Sequence, residues 1–159
     1  MAALPQLIED DIERLGGELQ ELIEKSDATT ALIIDKGGFL ITSQGDSRQF
    51  DVTTIAALAS GAYMANQTIA HLVHETNFNS VYQQGEKFSM FVMGVDENCL
   101  LVAIFQAQVS VGAVKYFAAP AVKRIAVQLQ IAQERNPGAR LDLSELNLAD
   151  PSELFKRKT

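Results

Sequence analysis

Surplus positive charge is missing from this chain: 13 Lys and Arg stand against 20 Asp and Glu, a formal net charge of −7. Nucleic acid is held by a basic surface, so this balance argues against it as a partner. Tryptophan is absent and there is one cysteine, Cys99, inside the run NCLLVAIF. No disulfide framework is therefore available, and the lone thiol reads as a core residue of a reducing compartment. Long membrane-compatible runs are lacking too. The one stretch long enough, 52–74, carries Thr, Ser, Asn, Gln and two His, too polar for lipid. The N-terminal MAALPQLIEDDIERL is acidic and has neither the basic start nor the apolar centre of a signal peptide, so a cytoplasmic location is expected. Glycine-rich phosphate loops, GxSxG, CxxC and HExxH are all missing, and neither an active site nor a cofactor is expected.

What is present suits a single globular domain over residues 1–135 followed by a tail, 136–159. The chain has 159 residues, 47% of them apolar, enough for a core without metal or disulfide support. Residues 6–25 read as an amphipathic helix. Ile8, Ile12, Leu15, Leu19 and Leu22 form its apolar stripe. Glu9, Asp10, Glu13, Glu18, Glu21 and Glu24 make an acidic outer face, and Asp11 is placed with its neighbours on the exposed side. Gly16 and Gly17 mark a bend or a close backbone contact.

Two β-forming runs, near 29–34 and 39–43, flank Asp35-Lys36-Gly37-Gly38, whose glycines suit a tight hairpin turn. Further strands are expected at 81–84, 88–95 and 99–105, the last two joined by Asp96-Glu97-Asn98. Both faces of these strands are apolar, yet the short turns forbid parallel crossovers. The sheet should then be antiparallel and covered by helices on both sides. Residues 110–134 keep helical spacing through Val111, Val114, Ala118, Val122, Ile125, Leu129 and Ala132, with a kink or fresh start at Pro120.

The stretch that stands out is DVTTIAALASGAYMANQTIAHLVHE, residues 51–75. Between Asp51 and Glu75 no residue carries a formal charge, in a chain that is 21% charged. Asp51 suits an N-cap. Ile55, Leu58, Ala59, Ala62, Ile69, Leu72 and Val73 recur at helical spacing and read as the core stripe. The other face holds Ala57, Ser60, Gly61, Met64, Gln67, Thr68 and His71, where an ordinary surface helix would carry Lys, Glu and Arg. Small neutral residues let another backbone approach closely, so this face is expected to meet another chain. His71 and His74 lie three apart and could share a metal ion; polar contacts at an interface are the other reading. Arg48, just before the helix, is either a solvated loop residue or a charge reaching toward a partner. The tail is either unstructured or a docking peptide that presents Leu154 and Phe155 ahead of Lys156-Arg157-Lys158.

The order helix, hairpin, helix, three strands, helix resembles the roadblock family of dynein-light-chain type. ALIIDKGGFL, the charge-free helix, NFNSVYQQGEK, NCLLVAIF and SVGAVK carry the resemblance, over roughly residues 5–134. Within the family the chain is similar to bacterial regulators of gliding motility and cell polarity. The resemblance implies an α+β sandwich, with a five-stranded antiparallel sheet between the second helix and the paired first and third. It implies a homodimer with sheets edge to edge and second helices side by side. It also implies a Ras-like small GTPase in its GTP state as partner, bound over those helices. Hydrolysis would be stimulated by repositioning the GTPase's own catalytic groups, and the absence of Arg and Lys from 52–74 agrees with that. A pure adaptor on the same fold is the rival reading. The neutral Phe117-Ala118-Ala119-Pro120-Ala121 departs from the basic first half usual for the third helix of such regulators.

Overall fold

The computed structural model describes residues 4–46 and 48–135. Its elements are α1 (Glu9–Ser26), β1 (Thr30–Asp35), β2 (Leu40–Gly45), α2 (Val52–Leu72), β3 (Ser80–Gln83), β4 (Phe88–Gly94), β5 (Cys99–Gln106) and α3 (Val111–Arg135). All strand pairs are antiparallel, and the sheet order is β2-β1-β5-β4-β3. The α+β architecture expected from the chain is the one observed. The apparent conflict between apolar strands and short turns resolves as an antiparallel sheet with two covers.

Side-chain alternation divides the core in two. Ala31, Ile33, Phe91, Leu101, Ala103 and Phe105 face α1 and α3, where Leu15, Leu19, Leu22, Val114, Ile125 and Leu129 pack on them. Leu32, Ile34, Val92, Leu100, Val102 and Ile104 face α2. The central strand β5 is buried from Cys99 to Phe105, which is why its sequence is apolar without alternation. Each of these buried Leu, Ile and Phe side chains contributes about 1.5–3 kcal/mol relative to exposure.

The hairpin between β1 and β2 turns at the expected glycines, with Gly38 at φ 98°. The amide of Lys36 donates to the Asn98 carbonyl, tying this turn to the β4–β5 turn. Pro120 neither stops nor restarts the last helix: α3 is one element from Val111 to Arg135, with Pro120 on its exposed side. A proline there removes one backbone hydrogen bond but meets solvent rather than core.

The acidic side of α1 also differs from expectation. Asp11 is fully buried, not exposed with Glu9 and Asp10. Its carboxylate accepts from the Ile8 amide (2.9 Å), from Gln128 Nε2 (2.8 Å) and from both Nη atoms of Arg135 (2.8 Å each). One buried acid thus caps the start of α1 and clamps it to the end of α3. The Arg135 guanidinium, outweighing the cost of desolvation, holds the Asp11 carboxyl well below the usual carboxylate range. The tail beyond Arg135, including Leu154 and Phe155, lies outside the described residues.

Candidate protein-interaction face

Asp51 starts α2 as its composition suggests: the carboxylate accepts from the Thr54 amide (3.1 Å) and hydroxyl (2.6 Å). The far end closes with an αL residue that is not glycine. His74 has φ 63°, its amide donates to the His71 carbonyl (3.2 Å), and the Glu75 amide reaches the Ala70 carbonyl (2.8 Å).

The helix lies on the sheet mostly by small residues, Ala56, Ala59, Ser60 and Ala70, with Tyr63 the one large side chain buried among them and Ile55 half-buried. The core stripe expected from spacing is therefore misplaced by roughly a third of a turn at 100° per residue. Leu58, Ile69, Leu72 and Val73 are 69%, 48%, 75% and 59% exposed, and Ala62 is exposed as well. The physical reason is the close seat of α2 on β1 and β2. Alanines let the helix axis approach these strands, and that leaves little room for leucines there; Tyr63 is the one large side chain buried on this side. The other large apolar side chains then have only the outside.

Two of the residues expected on the outer face belong to the inner one. Ser60 is buried, and its hydroxyl donates to the Lys36 carbonyl in the β1–β2 turn. Gln67 is half-buried and clasps the Phe78 backbone, donating from Nε2 to the carbonyl (2.9 Å) and accepting at Oε1 from the amide (3.1 Å). The Tyr63 hydroxyl donates to the same carbonyl (3.2 Å), and burial pushes the Tyr63 phenol up from its ordinary value. Ser60, Tyr63 and Gln67 thus tie α2 to the β1–β2 turn and to the loop that leads into β3. Their polarity looked like interface chemistry because sequence spacing cannot say which way a neutral polar residue turns.

Ala57, Gly61, Met64, Thr68 and His71 are exposed on α2, as expected for an outer face. With Leu58, Ala62, Ala65, Ile69 and Leu72 they form one charge-free surface. Gly61 lies at its middle, and a Cβ built there meets nothing within 4 Å, so the chain's own fold does not require glycine at that point. At Ala57 the surface meets the β1–β2 turn, where a Cβ on Gly38 would lie 3.2 Å from the Ala57 Cα. Phe39, 60% exposed, extends the apolar surface beyond that turn. An apolar cleft of about 350 Å³ opens beside the start of α2, lined by Phe50, Ile55, Phe88, Met90 and Ile104 among others. Contiguous exposed apolar surface of this kind is uncommon on a lone soluble domain and makes this face the candidate for contact with another molecule.

Arg48 does not extend over this face. Its guanidinium folds back on Asp46 (Nε 3.1 Å, Nη2 3.3 Å), and its amide donates to the same carboxylate. Among the described residues no group of three or more His, Cys, Asp and Glu is placed to hold a metal ion. No described helix is long and apolar enough to cross a membrane.

The model of the Roadblock/LC7 domain family matches residues 16–105. Solved structures similar to the chain include MglB of Myxococcus xanthus, at 25% identity and a TM-score of 0.74, covering 80% of this chain and 96% of that one. The gliding protein MglB of Thermus thermophilus is 27% identical with a TM-score of 0.75, covering 82% of this chain and 98% of that one. An MglB in a tetrameric arrangement is 27% identical with a TM-score of 0.77, covering 83% of this chain and 99% of that one. A comparison with curated protein sequences finds no match.

Proposed function

Because this chain belongs to the Roadblock/LC7 domain family, we propose that it acts as a homodimeric regulator of a Ras-like small GTPase and stimulates GTP hydrolysis. The observation that carries this reading is the outward apolar face of α2, with Leu58, Met64, Ile69 and Leu72 exposed around Gly61 and no charged residue on the helix. A lone domain gains nothing from that arrangement; a second copy alongside and a GTPase above would cover it. The likeness to MglB proteins supports the choice of partner. The MglB in tetrameric arrangement supports a chain that meets copies of itself through more than one surface.

The mechanism is positional. An arginine finger donates charge to the transferred phosphoryl group, and α2 contains neither Arg nor Lys. Arg48, at the edge of the face, is engaged by Asp46. Stimulation would then come from ordering the GTPase's switch loops, so that groups already in the GTPase meet the developing charge. The test is single-turnover GTP hydrolysis by the cognate GTPase with and without this protein. Acceleration that saturates at two copies per GTPase supports the proposal; an unchanged rate with intact binding leaves only the adaptor reading.

A further inference from the structure

The outer face of α2 divides into two flanks, and one contact places each of them. At 100° per residue Ile55, Leu58, Ala62, Ile69 and the C-cap Val73 lie along one flank. Ala57, Gly61, Met64, Thr68 and His71 lie along the other, about 140° round the helix. Ala57 sits over Gly38, so the second flank turns toward the β1–β2 turn. Ile55 lines the apolar cleft together with Gln83 and Phe88, so the first flank turns toward the edge strand β3. That flank is hollow at one end and raised at the other. Its hollow is the cleft beside Phe50 and Ile55, and its raised end is Ile69 and Val73, 48% and 59% exposed. We propose that a second copy of this chain fills the cleft: about a two-fold axis at Ala62, antiparallel α2 helices seat Ile69 and Val73 of each copy in the cleft of the other. The inference rests on the homodimer reading above and assigns its flank, which leaves the Ala57–His71 flank for the GTPase.

A two-fold contact requires that residue i meet residue j while j meets i. The flank satisfies this. Ile55 lies seven residues before Ala62 and Ile69 seven after it, so the antiparallel copy sets Ile69 over Ile55 at the mouth of the cleft, twice over. Val73, one turn further along the same side, falls against Asp51, beside Phe50 in the cleft wall. The residue on the axis meets its own copy and has to be small; Ala62 is small and exposed. Neither the cleft lining nor this flank carries a charged side chain, so closing the contact strands no charge. An apolar side chain seated in a pocket carries most of the energy of such a contact. Anchor and socket at equal distances from one point on the same helix are the condition for self-contact. A foreign partner imposes no such symmetry, which favours the second copy over the GTPase as the occupant.

Sedimentation and cross-linking of the full chain test this. Ile69→Glu/Val73→Glu puts carboxylates into the cleft, at positions exposed in the single chain, so its circular dichroism should match wild type. It should run as a monomer at concentrations where the wild type is a dimer. Ala62→Cys, on the axis, should give a disulfide between two copies under mild oxidation, and Thr68→Cys, on the other flank, should give none. Native Cys99 is fully buried and does not compete. A dimer that survives the double substitution, or one cross-linked through Thr68→Cys and not Ala62→Cys, overturns the flank assignment and leaves the homodimer reading standing. If the double variant stays dimeric but no longer binds the GTPase, the cleft belongs to the GTPase. Thr68→Glu should keep the dimer and weaken GTPase binding; unweakened binding removes the GTPase from that flank. A wild-type chain that is monomeric at every concentration sinks the homodimer reading and this contact with it.

Discussion

Asp11 shows how much one side chain can carry. It satisfies an orphan amide at the start of α1 and holds Arg135 and Gln128 of α3, and no buried side-chain polar atom among the described residues is left without a partner. Asp11→Ala should destabilise the fold by about 1–3 kcal/mol, since the Ile8 amide and Gln128 lose their acceptor while the partly exposed Arg135 turns to solvent; urea denaturation checks it. The same residue sets an acid limit. Its folded carboxyl titrates far below the unfolded one, so its contribution is fully present above the unfolded value of about 4 and fades as pH falls below it. Asp11→Asn should flatten the loss of stability below about pH 4 that the wild type shows, measured as midpoint against pH. Gln67→Ala should cost about 1–2 kcal/mol and release the α2–β3 loop, seen as faster amide exchange at Phe78. Neither role was legible beforehand. An acid in an acidic run and a glutamine among neutral residues look like surface, and their partners lie on elements distant in sequence or across a loop.

At the scale of elements, α2 was easy to find and hard to orient. Its limits follow from Asp51 and from the end of helical spacing, but small and large apolar residues both recur at helical intervals on it. Which set faces the sheet is decided by how near the helix axis can lie, and the alanines win. The open surround of Gly61 makes a sharp prediction. Gly61→Arg should leave the monomer folded, with a melting temperature within a few degrees of wild type, and abolish self-association or GTPase binding. A folded variant that still dimerises and stimulates hydrolysis would sink the assignment of this face. On the other side the expected stripes hold better: Leu15, Leu19 and Leu22 of α1 and Val114, Ala118, Val122, Ile125, Leu129 and Ala132 of α3 are buried, whereas Ile8, just ahead of α1, is 44% exposed and Tyr116, Val127 and Ile131 of α3 turn outward.

For the whole molecule, a chain that completes its cover only by pairing should show a melting temperature that rises with its own concentration, by mass action. Scanning calorimetry over a hundred-fold dilution range checks this, and a concentration-independent midpoint would argue for a free-standing monomer. The sequence by itself determined the strand and helix order, the antiparallel sheet and the need for cover on both faces. These follow from periodicity and loop length, which are local properties of the chain. Tertiary structure alone decided that α2 seats on the sheet by its alanines, that Ser60 and Gln67 serve the loops, and that Asp11 joins the first helix to the last. Those depend on distances between elements that no local pattern encodes. It also left apolar side chains on both outer layers, and the shape of any assembly depends on where those lie.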